Sequence, residues 1–587
     1  INIMSAFVYN DGIYNEEKSG ELNLTFGLFF DGTKNNMYHT RLRKYAESHR
    51  EIRYHNSEMT GEDWEAYHMY RHNESFTNDY TNVARTYKCC TDPYRIYIEG
   101  IGTVSKETKN KTDDNDGYVY GRGRTGIVEK VRSGCKMLAE KIFREKDKKE
   151  SNNENEEITQ INLTVDVFGF SRGAAAARHF LYNLQKQSYS PSLETIPSQG
   201  FSPPLPAFLT DEWGKEIKDE WLDEKKLLPP LGLFGIELLE LNIPRKLIEN
   251  MKINVRFLGI YDTVASYDPK SCMIPDFEEY IKKLHLNDIG NPMRAVHYTA
   301  MDEHRRFFPI THLNTEKLKN AIELSFPGAH SDIGGSYNHD PLTDEQFEKA
   351  IENAQLYNKM KSKRSPRTCE YEMLYLDDIF ISTERVDVII DNLIKGGWFF
   401  EDQIEKRYID IKINPPLFLA LVYISFIEES GYTIITLAYG ERPIEGGYSF
   451  IPLHFMCEDA QDFIPELDYY QVLDDYFLPD SFLITVKNFL KEHTVKNHLG
   501  WSLCHPENNT NPNPNIFMEE YELEETKSPN FFPPESIDLN DVTIRGCQSD
   551  YLLRKLRNRY LHCSARTNSF MDWLGHRSAP NGYRWDY

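Results

Sequence analysis

The stretch Ile158–Phe168, ITQINLTVDVF, runs directly into Gly169-Phe170-Ser171-Arg172-Gly173 and then into Ala174-Ala175-Ala176-Ala177. Its first part is apolar and β-branched, which predicts a buried strand. Arg172 to Gln187 predicts a helix whose alanine run permits close packing. A G-x-S-x-G set between strand and helix holds its serine on a strained turn. Any side chain at Gly169 or Gly173 would there clash with neighbouring backbone. The turn lifts the Ser171 hydroxyl clear of the sheet, at a helix N-terminus whose N–H groups and dipole favour negative charge. Ser171 is therefore read as a nucleophile; the bland alternative is an ordinary tight strand–helix turn.

A serine nucleophile needs a base and an orienting carboxylate, in the chain order Ser, Asp or Glu, His for this architecture. Phe257-Leu258-Gly259-Ile260-Tyr261 is a strand candidate ending in Asp262, and Ala321–Phe326 is followed by Pro327-Gly328-Ala329-His330. Both lie at strand ends, where open α/β sheets place their ligands. Asp262 and His330 are the expected partners of Ser171. The oxyanion donors are expected from the Arg172 N–H and from the loop Phe30-Asp31-Gly32-Thr33-Lys34-Asn35-Asn36, at Gly32 and Thr33. Asp31 is expected to order that loop through hydrogen bonds. This chemistry needs no cofactor.

Leu22–Phe30, Tyr94–Glu99 and Asn254–Tyr261 add strands, and Thr125–Lys146 has helical periodicity. Strands alternating with helices predict an α/β fold: a mostly parallel sheet flanked by helices. Length alone allows about two to four domain-sized units. The reading is a catalytic unit over 1–340, an accessory C-terminal region of mixed α+β character over 341–545, and a tail over 546–587 that packs back on the body. Within the first unit, about 188–250 is an insertion dense in leucine. It is expected to act as a lid, with Leu233 and Phe234 touching lipid; the alternative is a packed accessory segment. Thr343 with Gln346 predicts a capped helix through about Lys361. Tyr432–Tyr439 and Tyr448–Phe455 alternate like a strand hairpin, and 508–534 reads as a linker.

The formal net charge is −24, from 67 Lys and Arg against 91 Asp and Glu. That excludes a nucleic-acid binder, which needs a basic footprint, and a purely electrostatic route to anionic lipid. Nine cysteines in 587 residues imply no disulfide framework and synthesis in a reducing compartment. Ile1 to Asn10 has no signal-peptide pattern. Leu417–Ile427, the longest apolar run, is too short to span a bilayer.

Six stretches then occur in a telling order. They are Phe30–Asn36, Thr81-Asn82-Val83-Ala84-Arg85, Gly169–Gly173, Tyr261-Asp262-Thr263-Val264, Ala300-Met301-Asp302-Glu303-His304-Arg305, and Pro327–Gly335. Together they resemble the α/β-hydrolase lipase effectors of bacterial type VI secretion systems, in the class called Tle-one-like. The resemblance implies a Ser171, Asp262, His330 triad and phospholipase activity of type A on membrane glycerophospholipids. It also implies secretion by a type VI system and action in the periplasm or at the membrane of a target cell. The implied partners are a spike protein of the VgrG type, a cognate immunity protein and the phospholipid membrane, with no nucleic acid. Two other readings compete: a serine hydrolase of another ester or amide, and a non-catalytic interaction protein on a hydrolase scaffold.

Gly121-Arg122-Gly123-Arg124-Thr125-Gly126 matches G-x-G-x-x-G, but polar residues precede it, so it reads as a loop capping the next helix. Cys89-Cys90, His454 with Cys457, Cys504-His505 and His562-Cys563 lack zinc spacing. His304, beside Asp302 and Glu303, is either a group supporting the site or part of a surface ion-pair cluster.

Overall fold

The computed structural model describes residues 20–48, 60–71, 73–104, 115–152, 157–194, 208–267, 276–303, 305, 308–337, 370–377, 394, 396–399, 403–411, 433–503 and 542–562. Six strands form one parallel sheet: β1 (Glu21–Phe30), β2 (Arg95–Ile98), β3 (Gln160–Phe170), and, after the short pair β4 (Ser192–Glu194) and β5 (Phe208–Thr210), β6 (Lys252–Tyr261), β7 (Arg294–Ala300) and β8 (Ala321–Phe326). Their order is β2-β1-β3-β6-β7-β8. The order reverses between β1 and β3, which opens a crevice at the carboxyl ends of those strands. Phe30 pairs with Gly169 and Phe170 with Tyr261, so the ends of β1, β3 and β6 stand level.

Each strand feeds two cores with period two. Leu28, Phe30, Val165, Val167, Leu258 and Ile260 face one core, and Phe29, Phe168, Phe170, Phe257 and Tyr261 face the other. Helix α1 (Asn82–Lys88) lies on the second face. Helices α2 (Ile127–Asn152) and α3 (Arg172–Gln185) cover the first. On the second face α4 (Phe450–Ala460) contributes Leu453, Phe455 and Met456. Residues on both sides of position 340 therefore share one core.

Tyr448–Phe455 reads as a strand in sequence but forms the start of α4. Its Pro452 lies in the first turn, where a proline removes no helical hydrogen bond. The proposed pairing partner does form a strand, β11 (Thr433–Ile444), which runs antiparallel between β9 (Glu370–Asp377) and β10 (Ile404–Ile411). The helix expected from Thr343 and the linker over 508–534 lie outside the described residues. A last helix, α5 (Val542–Arg559), leads to Tyr560, Leu561 and His562, which are buried in the second core or beside it.

The described part of the insertion, from 208 on, is packed rather than lid-like. The helix Gly232–Glu240 carries Leu233 and Phe234 at 0% exposure, in one core with Ala174–Ala177 of α3. The Leu233 N–H donates to Asn183 Oδ1 at 2.9 Å. Leu228 and Ile236 close a satellite cluster with Ile217 and Trp221. The reading of Leu233 and Phe234 as lipid contacts is therefore corrected: their apolar surface is already buried against α2 and α3. Among the described residues no helix is long and apolar enough to cross a membrane.

Candidate active site

Ser171 sits between the end of β3 and the start of α3, with φ 59° and ψ −129°. A non-glycine residue in that region is strained, a feature of sites where geometry matters more than local comfort. The two flanking glycines are there for space. A Cβ on Gly169 would lie 2.6 Å from Ala174 Cα, and one on Gly173 only 2.3 Å from the Asp31 carbonyl oxygen. Close approach thus seats α3 directly on the end of β1. The Ser171 N–H donates to Tyr261 O at 3.0 Å, which ties the elbow to the neighbouring strand.

Asp262 follows β6 with φ 43° and no exposure. Its Oδ1 accepts the Ala300 N–H at 2.8 Å, and its Oδ2 accepts His330 Nδ1–H at 2.5 Å. With Nδ1 protonated, Nε2 carries the lone pair that a general base needs. The His330 ring lies 4.6 Å from the Phe170 ring and 5.1 Å from that of Phe308. The imidazole is thereby held against the residue that precedes Ser171. No hydrogen bond joins Ser171 Oγ to His330 Nε2; such contacts are often long until substrate arrives. Burial pushes the His330 pKa below 6.5, while the Asp262 hydrogen bond and charge act the other way. The ring is accordingly neutral at pH 7.

The histidine is braced by residues that sequence reading undervalued. The His330 N–H donates to Glu303 Oε2 at 3.2 Å, and Arg305 grips the same carboxylate with Nε and Nη2, both at 2.9 Å. Glu303 is wholly buried, so this is an internal pair and not a surface cluster. Asp302 accepts from the Gly328 N–H at 2.8 Å and from Arg557 of α5 at 2.9 Å. Asp332 takes the His562 N–H and its ring Nδ1 at 2.9 and 2.7 Å. Neither of these aspartates touches the His330 ring, which leaves Asp262 as its carboxylate. His304 lies outside the described residues. The order of small residues in Pro327–Gly335 was the available signal for this bracing, since Gly328 adopts φ 117° above Asp332.

The oxyanion loop is narrower than expected. The Gly32 N–H donates to Asp31 Oδ1 at 2.7 Å, so it is not aimed at a substrate. Thr81 Oγ1 donates to the same oxygen at 2.6 Å, and the Tyr97 hydroxyl to Oδ2 at 2.5 Å. Asp31 thus fixes the loop through three donors. Burial nonetheless raises its pKa from 3.8 to about 6, against the lowering effect of Thr81 and Tyr97. Among the described residues no acceptor takes the Arg172 or Thr33 N–H, which remain the candidate donors. The G-x-G-x-x-G loop behaves as a cap: the Ile127 N–H at the start of α2 donates to Gly121 O at 2.8 Å.

Residues 28–357 match the family described as type VI secretion system phospholipase effector Tle1-like, catalytic domain. Among solved structures, the Tle1 effector bound to the VgrG spike of the type VI secretion system is 17% identical. That match covers 96% of this chain and 90% of the other, with a TM-score of 0.45. An uncharacterized protein from Pseudomonas aeruginosa is 17% identical over 54% of this chain and 42% of its own, with a TM-score of 0.25. A search of curated proteins returned no match. With more than half of its 587 residues matched, the chain belongs to the Tle1-like phospholipase effectors of the type VI secretion system.

Proposed function

We propose that the chain is a phospholipase of type A whose nucleophile is Ser171, whose base is His330 and whose orienting carboxylate is Asp262. The observation that carries this reading is the 2.5 Å bond between His330 Nδ1 and Asp262 Oδ2, buried at the mouth of a strained serine elbow. In the first step Nε2 takes the Ser171 hydroxyl proton as Oγ attacks an acyl carbonyl carbon. The resulting oxyanion is met by the N–H groups of Arg172 and Thr33. Losing one such donor typically costs about 2.7–4 kcal/mol. Collapse breaks the ester bond, and His330 returns its proton to the departing lysophospholipid alcohol. Water, deprotonated by the same nitrogen, then releases the fatty acid from Ser171. Asp262 keeps its charge throughout and stabilises the imidazolium.

Family membership supports phospholipids as substrate and type VI secretion as the route. We take a spike protein of the VgrG type as carrier, a cognate immunity protein as the producer's protection, and target-cell membrane as the place of action. Ser171→Ala tests the reading. It should abolish hydrolysis of a short-chain ester without changing circular dichroism or melting; retained turnover in an intact fold contradicts it.

A further inference from the structure

Burying a guanidinium is costly unless a carboxylate or enough acceptors receive it. Arg178, on α3, has an acceptor for each of its three nitrogens. Its Nε donates to Leu286 O (2.7 Å), Nη1 to Thr311 O (2.8 Å), and Nη2 to Asn287 Oδ1 (3.1 Å) and His312 O (2.9 Å). Arg172 on the same helix is 7% exposed yet poorly matched. Its Nε donates to Thr33 Oγ1 at 2.8 Å and its Nη1 to Gly117 O at 3.3 Å. Among the described residues no carboxylate faces this guanidinium and no acceptor takes its Nη2. That is notable in a chain of net charge −24, where acidic side chains are plentiful. Lys34, ion-paired with Glu74 at 2.8 Å, stands nearby: its Nζ lies 3.3 Å from the centre of the Tyr118 ring, and the Arg172 guanidinium carbon 6.0 Å from the same point. Burial lowers the Arg172 pKa to about 10, which leaves it charged at neutral pH.

The position is as informative as the charge. Thr33 and Arg172 are the two candidate oxyanion donors, and the guanidinium donates to the Thr33 hydroxyl, so it borders the proposed place of acyl reaction. In a glycerophospholipid the phosphodiester sits on the same glycerol unit as the scissile ester. A planar guanidinium fork matches phosphate oxygens well. We propose that the Arg172 guanidinium, with Nη2 unspent, seats the phosphate of the lipid substrate and selects phospholipid over neutral glyceride. This rests on the reading of Ser171 as nucleophile of a phospholipase.

The test compares dioleoyl phosphatidylglycerol with dioleoylglycerol in the same detergent micelles, so that only the phosphate head differs. Arg172→Met should lower kcat/KM on the phospholipid at least tenfold more than on the glyceride, and Arg172→Lys should recover part of that ratio. Equal losses on both lipids would overturn the proposal and leave Arg172 as a clamp on Thr33. Thr33→Val removes the Arg172 hydrogen bond but keeps the cation, and should shift both lipids alike. If Arg172→Met does not fold, inorganic phosphate decides on the wild-type protein: competitive inhibition against the phospholipid supports the seat, and its absence overturns it. Ser171→Ala runs in parallel; if that variant still hydrolyses both lipids, the nucleophile reading fails independently of Arg172.

Discussion

Replacing Asp262 with Asn removes one charge and leaves almost everything else in place. The backbone there has φ 43°, a region that Asn tolerates better than most residues. The side chain it replaces accepts hydrogen bonds from the Ala300 N–H and from His330 Nδ1–H. An asparagine offers one oxygen and one NH₂. If its oxygen keeps Ala300, its NH₂ faces Nδ1, which must then be the unprotonated nitrogen. The proton moves to Nε2, the atom that has to accept the Ser171 proton. If the amide turns the other way, NH₂ opposes the Ala300 N–H and leaves a buried donor unmet, at about 1–3 kcal/mol. The first orientation loses the productive tautomer; the second keeps it but bears that cost, so the first prevails. The expected fall in kcat is about 10⁴-fold, the size found when the same swap forces the wrong tautomer in a serine protease; that is about 5.4 kcal/mol of barrier. The assay is turnover of a short-chain ester, with melting temperature and circular dichroism as controls. A rate within tenfold of wild type refutes the argument. So does a larger loss of turnover from Asp332→Asn, whose carboxylate holds His562 and the Ala329 N–H instead.

Phe234→Ala should cost about 3–5 kcal/mol of stability, because the ring is fully buried in the core that α2 and α3 share. Its ratio of liposome to short-ester activity should stay at the wild-type value; a selective loss on liposomes at unchanged stability would reinstate the lid. Asp31 supplies a pH signature. Its folded pKa of about 6 lies above 3.8, so its stabilising contribution is full below about pH 3.8 and is lost as pH rises through about 6. The difference amounts to about 3 kcal/mol. The stability of wild type relative to Asp31→Asn should therefore fall by that order between pH 4 and 7 in urea titrations, and a pH-independent difference contradicts it. The depressed pKa of His330 places the acid limb of kcat/KM below pH 6.5; a limb above pH 7 would contradict that direction.

The elbow was legible because three signals coincide in one stretch: β-branched strand, glycines at close approaches, alanine-rich helix. Asp262 and His330 were legible as polar residues at the ends of apolar runs. Strand β7 was not, because His297 interrupts Arg294–Ala300 with a polar side chain. The fold buries that ring by pairing its Nδ1 with Glu323 at 2.8 Å and its Nε2 with the Thr263 N–H at 3.2 Å. Such a pairing is long-range, and no local pattern reports it. The insertion misled for a related reason. Leucine density states that a segment must bury apolar surface; it does not name the partner, and here the partners are α2 and α3. Gly32 was read as a donor for its freedom of approach, yet the neighbouring Asp31 captures its N–H. Thr81 appeared only as part of a motif, and its role emerged when the fold set its hydroxyl against Asp31.

The central claim, Ser171-dependent cleavage of phospholipid acyl esters, is tested most directly by mass spectrometry of phospholipid vesicles incubated with purified protein. The account predicts equimolar free fatty acid and lysophospholipid with the wild-type chain, and neither with Ser171→Ala. Equal product from both proteins, or release of head group with both acyl chains intact, would contradict it.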